Sequence, residues 1–221
     1  MKVVSIVQSQ AFRVFRPLGT LGYLPDARDA LVKEFGFVDY PKEAFQFFPT
    51  TPQQALNFQH GKVVIDQNVI VLDWLQVYPA GISVSTRTNT EEAQAALDHI
   101  MTWVGERFKI QFELVKEAGF WSQLNVHFEK PLPDLLPKLK RVADAVSTRH
   151  PDLFDFRPQF ELTTLHFSYP PKAANLTPIP FRIERAPNVG FDENLYLSDA
   201  PLRTQHHIEI LTGFETLCLS E

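Results

Sequence analysis

The chain reads as an α+β protein, a predominantly antiparallel sheet with about four helices packed on one face. Three observations predict this. Residues 62–87 hold three β-rich runs joined by short turns, and residues 89–108 keep apolar residues at helical spacing for more than four turns. The same order, strands and then a helix, recurs over 109–148, so the chain resembles two successive strand-strand-helix units, although no residue-level repeat accompanies it.

Each element has its own warrant. VVSIV at 3–7 and AFRVF at 11–15 read as strands. Pro25 opens a short helix with Ala27, Ala30, Leu31 and Phe35 on one face, and Gly36 stops it. Residues 37–60 show few periodic cues and read as an irregular connection with one or two short strands. The runs 62–66, 69–78 and 81–87 form a meander turning at Asp66-Gln67-Asn68 and at Pro79-Ala80-Gly81. In the third run, Ile82 and Val84 alternate with Ser83 and Ser85, which predicts a sheet with one wet face. Asn89 or Thr90 caps the next helix, with Glu91 and Glu92 in its first turn, where carboxylates meet the positive end of the helix dipole. Its inward face is Ala93, Ala96, Leu97, Ile100, Trp103, Val104 and Phe108.

Strands are then expected at 109–115 and 122–129, followed by a helix over 132–148 that turns Leu135, Leu136, Leu139, Val142, Ala143 and Val146 inward and holds Pro137 in its first turn. Further strands fall at about 159–168, 180–185 and 193–197, and a last helix runs from Arg203 to Cys218 with Thr204 as its cap. The whole chain, 1–221, is expected to form one compact α+β domain, with a subdomain boundary allowed near 148–158.

Composition removes several function classes. The 221 residues are 44% hydrophobic and 21% charged, enough to bury a core without disulfides or metals. Nineteen Phe and 17 Pro against 9 Gly predict an aromatic core with loops shaped by proline. A net charge of -5 gives no broad positive field, so bulk nucleic-acid binding is not expected. The single Cys218 excludes an intrachain disulfide and a multi-cysteine zinc site. No signal-peptide pattern and no membrane-length apolar run is read, so the expected location is the cytoplasm, with no membrane partner.

Polar residues with chemical potential concentrate near the C-terminus: Arg182, Glu184, Arg185, Asp192, Asn194, Tyr196, Arg203, His206 and His207. Arginine forks suit a carboxylate or phosphate, but the acids are equally abundant, which favours a cross-strand ion-pair network with Asp192, Glu193 and Asp199. Asn194, Tyr196 and Ser198 share one strand face and would line a polar cleft or a wet surface. Adjacent His206 and His207 point about 100° apart on a helix, which is poor geometry for one metal ion. Neither a metal nor a cofactor is therefore expected. No phosphate-binding loop, nucleophile elbow or zinc-protease motif occurs in the chain.

The catalytic residues, if any, are not readable, and the absence of motifs weighs against an enzyme. The leading reading is a non-catalytic interaction or assembly protein, a soluble subunit of a homo- or hetero-oligomer whose partner is another protein chain. The alternatives are a small-ligand-binding protein with a Phe-lined pocket and Arg182 or Arg203 at its mouth, and a hydrolase or nuclease using His206 or His207 with Glu209 or Asp192.

Overall fold

Residues 1–17, 25–42, 55–79, 81–114, 118–149, 159–168, 179–190 and 193–220 are described by the structure, a computed structural model. The chain divides into two compact units, a larger one of Ile6–Ser122 with Pro201–Thr204 and a smaller one of Met1–Ser5, Gln123–Ala200 and Gln205–Glu221. The predicted α+β class holds. Every strand pair whose register is described is antiparallel, and five helices lie among the described residues.

Strand β1 (Lys2–Pro17), which belongs to the larger unit from Ile6 onward, is continuous where the sequence suggests two strands. The polar residues between the two apolar runs stay in it because the sheet gives them partners: Ser9 is fully buried, and Gln8 donates to Ser85 Oγ at 2.8 Å. Helix α1 (Pro25–Phe35) turns Leu31 and Phe35 inward and ends at Gly36, whose φ of 65° and N–H to the Val32 carbonyl at 2.9 Å close its last turn. Strand β2 (Leu56–Ile65) begins inside the stretch that reads as irregular, and an isolated bridge joins Asp39 to Gln59 on it.

Strands β3 (Asn68–Tyr78) and β4 (Gly81–Thr86) complete the expected meander, giving the order β2-β3-β4-β1. The short β5 (Phe112–Leu114) pairs with the end of β1; of the described part of the predicted strand at 109–115, residues 109–111 stay out of it, because Lys109, at φ 56°, is the left-handed cap of the helix before it. That helix, α2 (Thr90–Phe108), is capped as expected, with Asn89 Oδ1 accepting from the Glu92 N–H at 2.8 Å. Its Ala93, Ala96, Leu97 and Ile100 are fully buried and share one core with Phe15, Phe35, Phe37, Phe58 and Leu75. The wet face expected for β4 is corrected: all six of its residues are buried, Ser83 and Ser85 included, since the strand is central between β3 and β1.

The β2–β3 hairpin decides what the larger unit shows to solvent. Asp66 and Gln67 both take positive φ, 47° and 70°, the two-residue turn whose twist matches antiparallel strands. Lower down, Phe58 and Leu75 face the core, but past His60, at φ 56°, the inward positions become Gly61, Val63, Ile70 and Leu72. The left-handed residue shifts the inward parity by one position while the register is kept. Pairing between β3 and β4 starts only at Trp74, so residues 61–72 form a two-stranded ribbon, buried on one face only.

The smaller unit contains the first residues of β1, the end of β6 (Gly119–His127), and strands β7 (Thr164–Phe167), β8 (Phe181–Arg185) and β9 (Leu195–Ala200), in the order β6-β9-β8-β7. The helix predicted over 132–148 is two helices, α3 (Leu132–Leu135) and α4 (Pro137–Arg149). Leu136, with φ -126° and ψ 64°, separates them, because the residue before a proline is pushed out of the helical region and Pro137 then starts a new helix. The predicted inward face is corrected as well: Leu135 is buried, but Leu139, Val142 and Val146 are exposed. Helix α5 (Thr204–Leu219) is the last element.

Candidate functional site

Strands β8 and β9 and helix α5 bring together part of the C-terminal cluster. Arg182 and Asp199 are cross-strand neighbours in the β8–β9 register. The guanidinium donates through Nε at 3.0 Å and Nη2 at 2.6 Å to Asp199 Oδ2, and its Nη1 lies 2.9 Å from Glu184 Oε2. Asp199 is only 4% exposed and also accepts from Gln123 Nε2 at 2.8 Å. The hydrogen bond from Arg182 to Asp199 raises the guanidinium above its ordinary value, against the desolvation that opposes it. These are the contacts of a structural ion pair, and both carboxylates next to Arg182 are occupied by it.

Behind the pair lies a sealed polar contact. Ser198 Oγ donates to the Arg182 carbonyl at 2.8 Å and sits 2.9 Å from His207 Nε2. The imidazole packs edge-on against Phe181 with centroids 5.7 Å apart. Burial pushes its pKa down to about 4, with Asp199 pulling weakly the other way. Ser198 and His207 are both fully buried, so a serine and a histidine at hydrogen-bond distance here present no reacting atom to solvent.

The other predicted residues that the structure describes make contacts of their own. His206 is exposed while His207 is buried, so the two neighbours fall on different sides of α5. Tyr196 is 3% exposed, and its hydroxyl accepts from the Leu132 N–H at 2.8 Å, tying β9 to the first residue of α3; burial raises its pKa. The expectation that Asn194, Tyr196 and Ser198 line a cleft or a wet surface is corrected, since Tyr196 and Ser198 point into the interior, where backbone and His207 satisfy them. Asn194, at φ 53°, turns the chain into β9, and its carbonyl accepts from the Phe128 N–H at 3.2 Å. Arg185 donates to the Val189 carbonyl, and Glu193 accepts from the Gly190 N–H. Asp192 lies outside the described residues.

Arg203 belongs to the larger unit, where its guanidinium carbon sits 4.1 Å from the centroid of Phe120 and Nη2 donates to Gln94 Oε1 at 2.8 Å. Thr204 does not cap its own helix as expected. Its N–H donates to Thr90 Oγ1 at 2.8 Å, and its Oγ1 accepts from the Thr90 N–H at 3.0 Å. No local pattern in the sequence marks Glu215, which is 4% exposed and accepts from the Glu129 N–H at 2.7 Å and from the amino group of Met1.

The most distinctive surface lies outside every sequence-predicted site. On the outward face of the β2–β3 ribbon, Val64, Val69 and Val71 are 53%, 59% and 63% exposed, and Val64 stands directly across from Val69. Lys62 and Asp66 lie at either end of this patch, both exposed. The sequence hides it because VVI and NVIVL are apolar at consecutive positions, the pattern of strands buried on both faces. A separate hollow of about 500 Å³ is lined by Lys130, Asp134, Pro137, Lys138, Cys218 and Leu219.

Among the described residues, no three His, Cys, Asp or Glu side chains converge on a point that could hold a metal, and no helix is long and apolar enough to cross a membrane. No protein family matches the chain, and no curated protein matches it either.

Proposed function

We propose that this chain is a non-catalytic assembly protein that binds another protein chain through the outward face of the β2–β3 ribbon. The observation that carries this reading is the contiguous patch of Val64, Val69 and Val71. Three valines more than half exposed on paired strands leave apolar area in water in the free chain, and covering them with a partner recovers roughly 25 cal/mol per Å². The ribbon extends past its neighbour β4, which leaves room for a partner. The polar cluster that could have carried chemistry is engaged instead in an ion pair and a sealed Ser198–His207 contact.

The test is sedimentation velocity of the native chain and of Val69→Thr/Val71→Thr, which keeps β-branching while removing apolar area. The native chain is expected to form a complex that the double variant loses. Equal complex formation by both would overturn this reading. Loss on Leu139→Lys instead would move the contact to α4.

A further inference from the structure

We infer that the partner is a second copy of this chain, joined edge to edge through β2 in an antiparallel pair with its two-fold axis at Val64. This rests on the assembly reading above and names its partner. Strand β2 is the terminal strand of the β2-β3-β4-β1 order. Its outer side is occupied low down, where Gln59 exchanges backbone hydrogen bonds with Asp39 at 2.7 and 3.4 Å. His60, at φ 56°, then turns the strand, and among the described residues nothing pairs with the outer side of Gly61–Ile65. An open apolar edge of this kind is a template for another strand.

The charge pattern selects the occupant. Lys62 stands two residues before Val64 and Asp66 two residues after it. In an antiparallel pair centred on Val64, each Lys62 falls opposite Asp66 of the other copy, and Val63 falls opposite Ile65. Both ends of the new ladder then carry opposite charges, and its centre is valine on valine. The contact is self-complementary, as a two-fold interface requires. A parallel pair in the same register would place like charges opposite each other. The valine faces of the two ribbons would then lie side by side on one face of the joined sheet, with Val64 of each copy packed against that of the other.

The experiment is a mixing test by sedimentation equilibrium. Lys62→Glu alone places an acidic side chain opposite Asp66 of the other copy, and Asp66→Lys alone places a second lysine opposite Lys62. Each single variant is therefore expected to self-associate about tenfold more weakly than the native chain. An equimolar mixture of the two restores opposite charges at both ends and is expected to form a heterodimer of native strength. Because Asp66 has positive φ and lysine tolerates that backbone less well, a second measurement accompanies the first. Val64→Cys, in a Cys218→Ser background, is expected to form a disulfide-linked dimer under mild oxidation, while Val71→Cys is not. Failure of the mixture to associate, together with no Val64→Cys dimer, overturns the inference. If the native chain still forms complexes that Val69→Thr/Val71→Thr abolishes, the assembly reading stands without this partner; if it forms none, both fall.

Discussion

Thr90 and Thr204 exchange hydrogen bonds, each backbone N–H donating to the other's hydroxyl, at 3.0 and 2.8 Å, with Ser9 Oγ 3.3 Å from Thr204 Oγ1. Both threonines are buried and each opens a helix, where backbone N–H groups have no partner within the helix. Thr90→Ala removes one acceptor and leaves the Thr204 N–H buried and unpaired, at about 1–2 kcal/mol. Thr204→Ala does the same to Thr90. Since the two changes damage one arrangement, the double variant is expected to lose less stability than the sum of the singles, as read by urea denaturation. Strict additivity would show that the exchange is not a coupled unit.

His207 makes stability depend on pH. Its folded pKa of about 4 lies below the ordinary 6.5, so between these values the unfolded chain binds the extra proton and the folded one does not. The stabilisation from keeping the ring neutral is therefore fully present above pH 6.5 and is lost as pH falls toward 4. The loss over that window is roughly 3 kcal/mol. In His207→Gln the part of the acid-side decline between pH 6.5 and 4 is expected to flatten, as measured by denaturant midpoints at each pH. An unchanged profile would mean that the ring is hydrated in solution.

The two carboxylates beside Arg182 should respond very differently to substitution. Asp199 is buried and holds bonds from Arg182 and Gln123, so Asp199→Ala is expected to cost about 3 kcal/mol or more, since it leaves the guanidinium and amide without their acceptor. Glu184 is 42% exposed at its side chain, and Glu184→Gln is expected to cost less than about 1 kcal/mol. Chemical denaturation of both variants checks the contrast.

Gly61 is required by packing. A Cβ built there would sit 2.4 Å from the Phe37 ring, so Gly61→Ala is expected to destabilise by about 1–3 kcal/mol. Phe37→Leu in the same chain should recover part of that loss, which thermal unfolding of the double variant would show.

How much of this is legible in the sequence follows from which forces act locally. The meander, α1 with its glycine stop and α2 with its Asn89 cap are readable, because periodicity and caps are properties of short segments. Pro137 reads as an early helical residue, whereas its restriction of Leu136 ends α3. The fate of Ser83, Ser85, Tyr196 and Ser198 is not readable, since a polar residue on a strand faces water or a buried partner according to what the rest of the chain places over it. Of the C-terminal cluster, the pairing of Arg182 with Glu184 follows from strand alternation, whereas its pairing with Asp199 is set by the β8–β9 register. The contacts of Arg203 with Phe120 and Gln94 depend on tertiary placement that no local pattern encodes. The exposed valines emerge only once His60 is known to shift the inward parity.

Whether another chain covers the outer side of the β2–β3 ribbon can be read from backbone hydrogen exchange at low and high protein concentration. Amides of residues 61–71 are expected to exchange more slowly as concentration rises, while those of α2 stay unchanged. Identical exchange of the ribbon at both concentrations, with association detected at another surface or not at all, would be incompatible with a partner at this face.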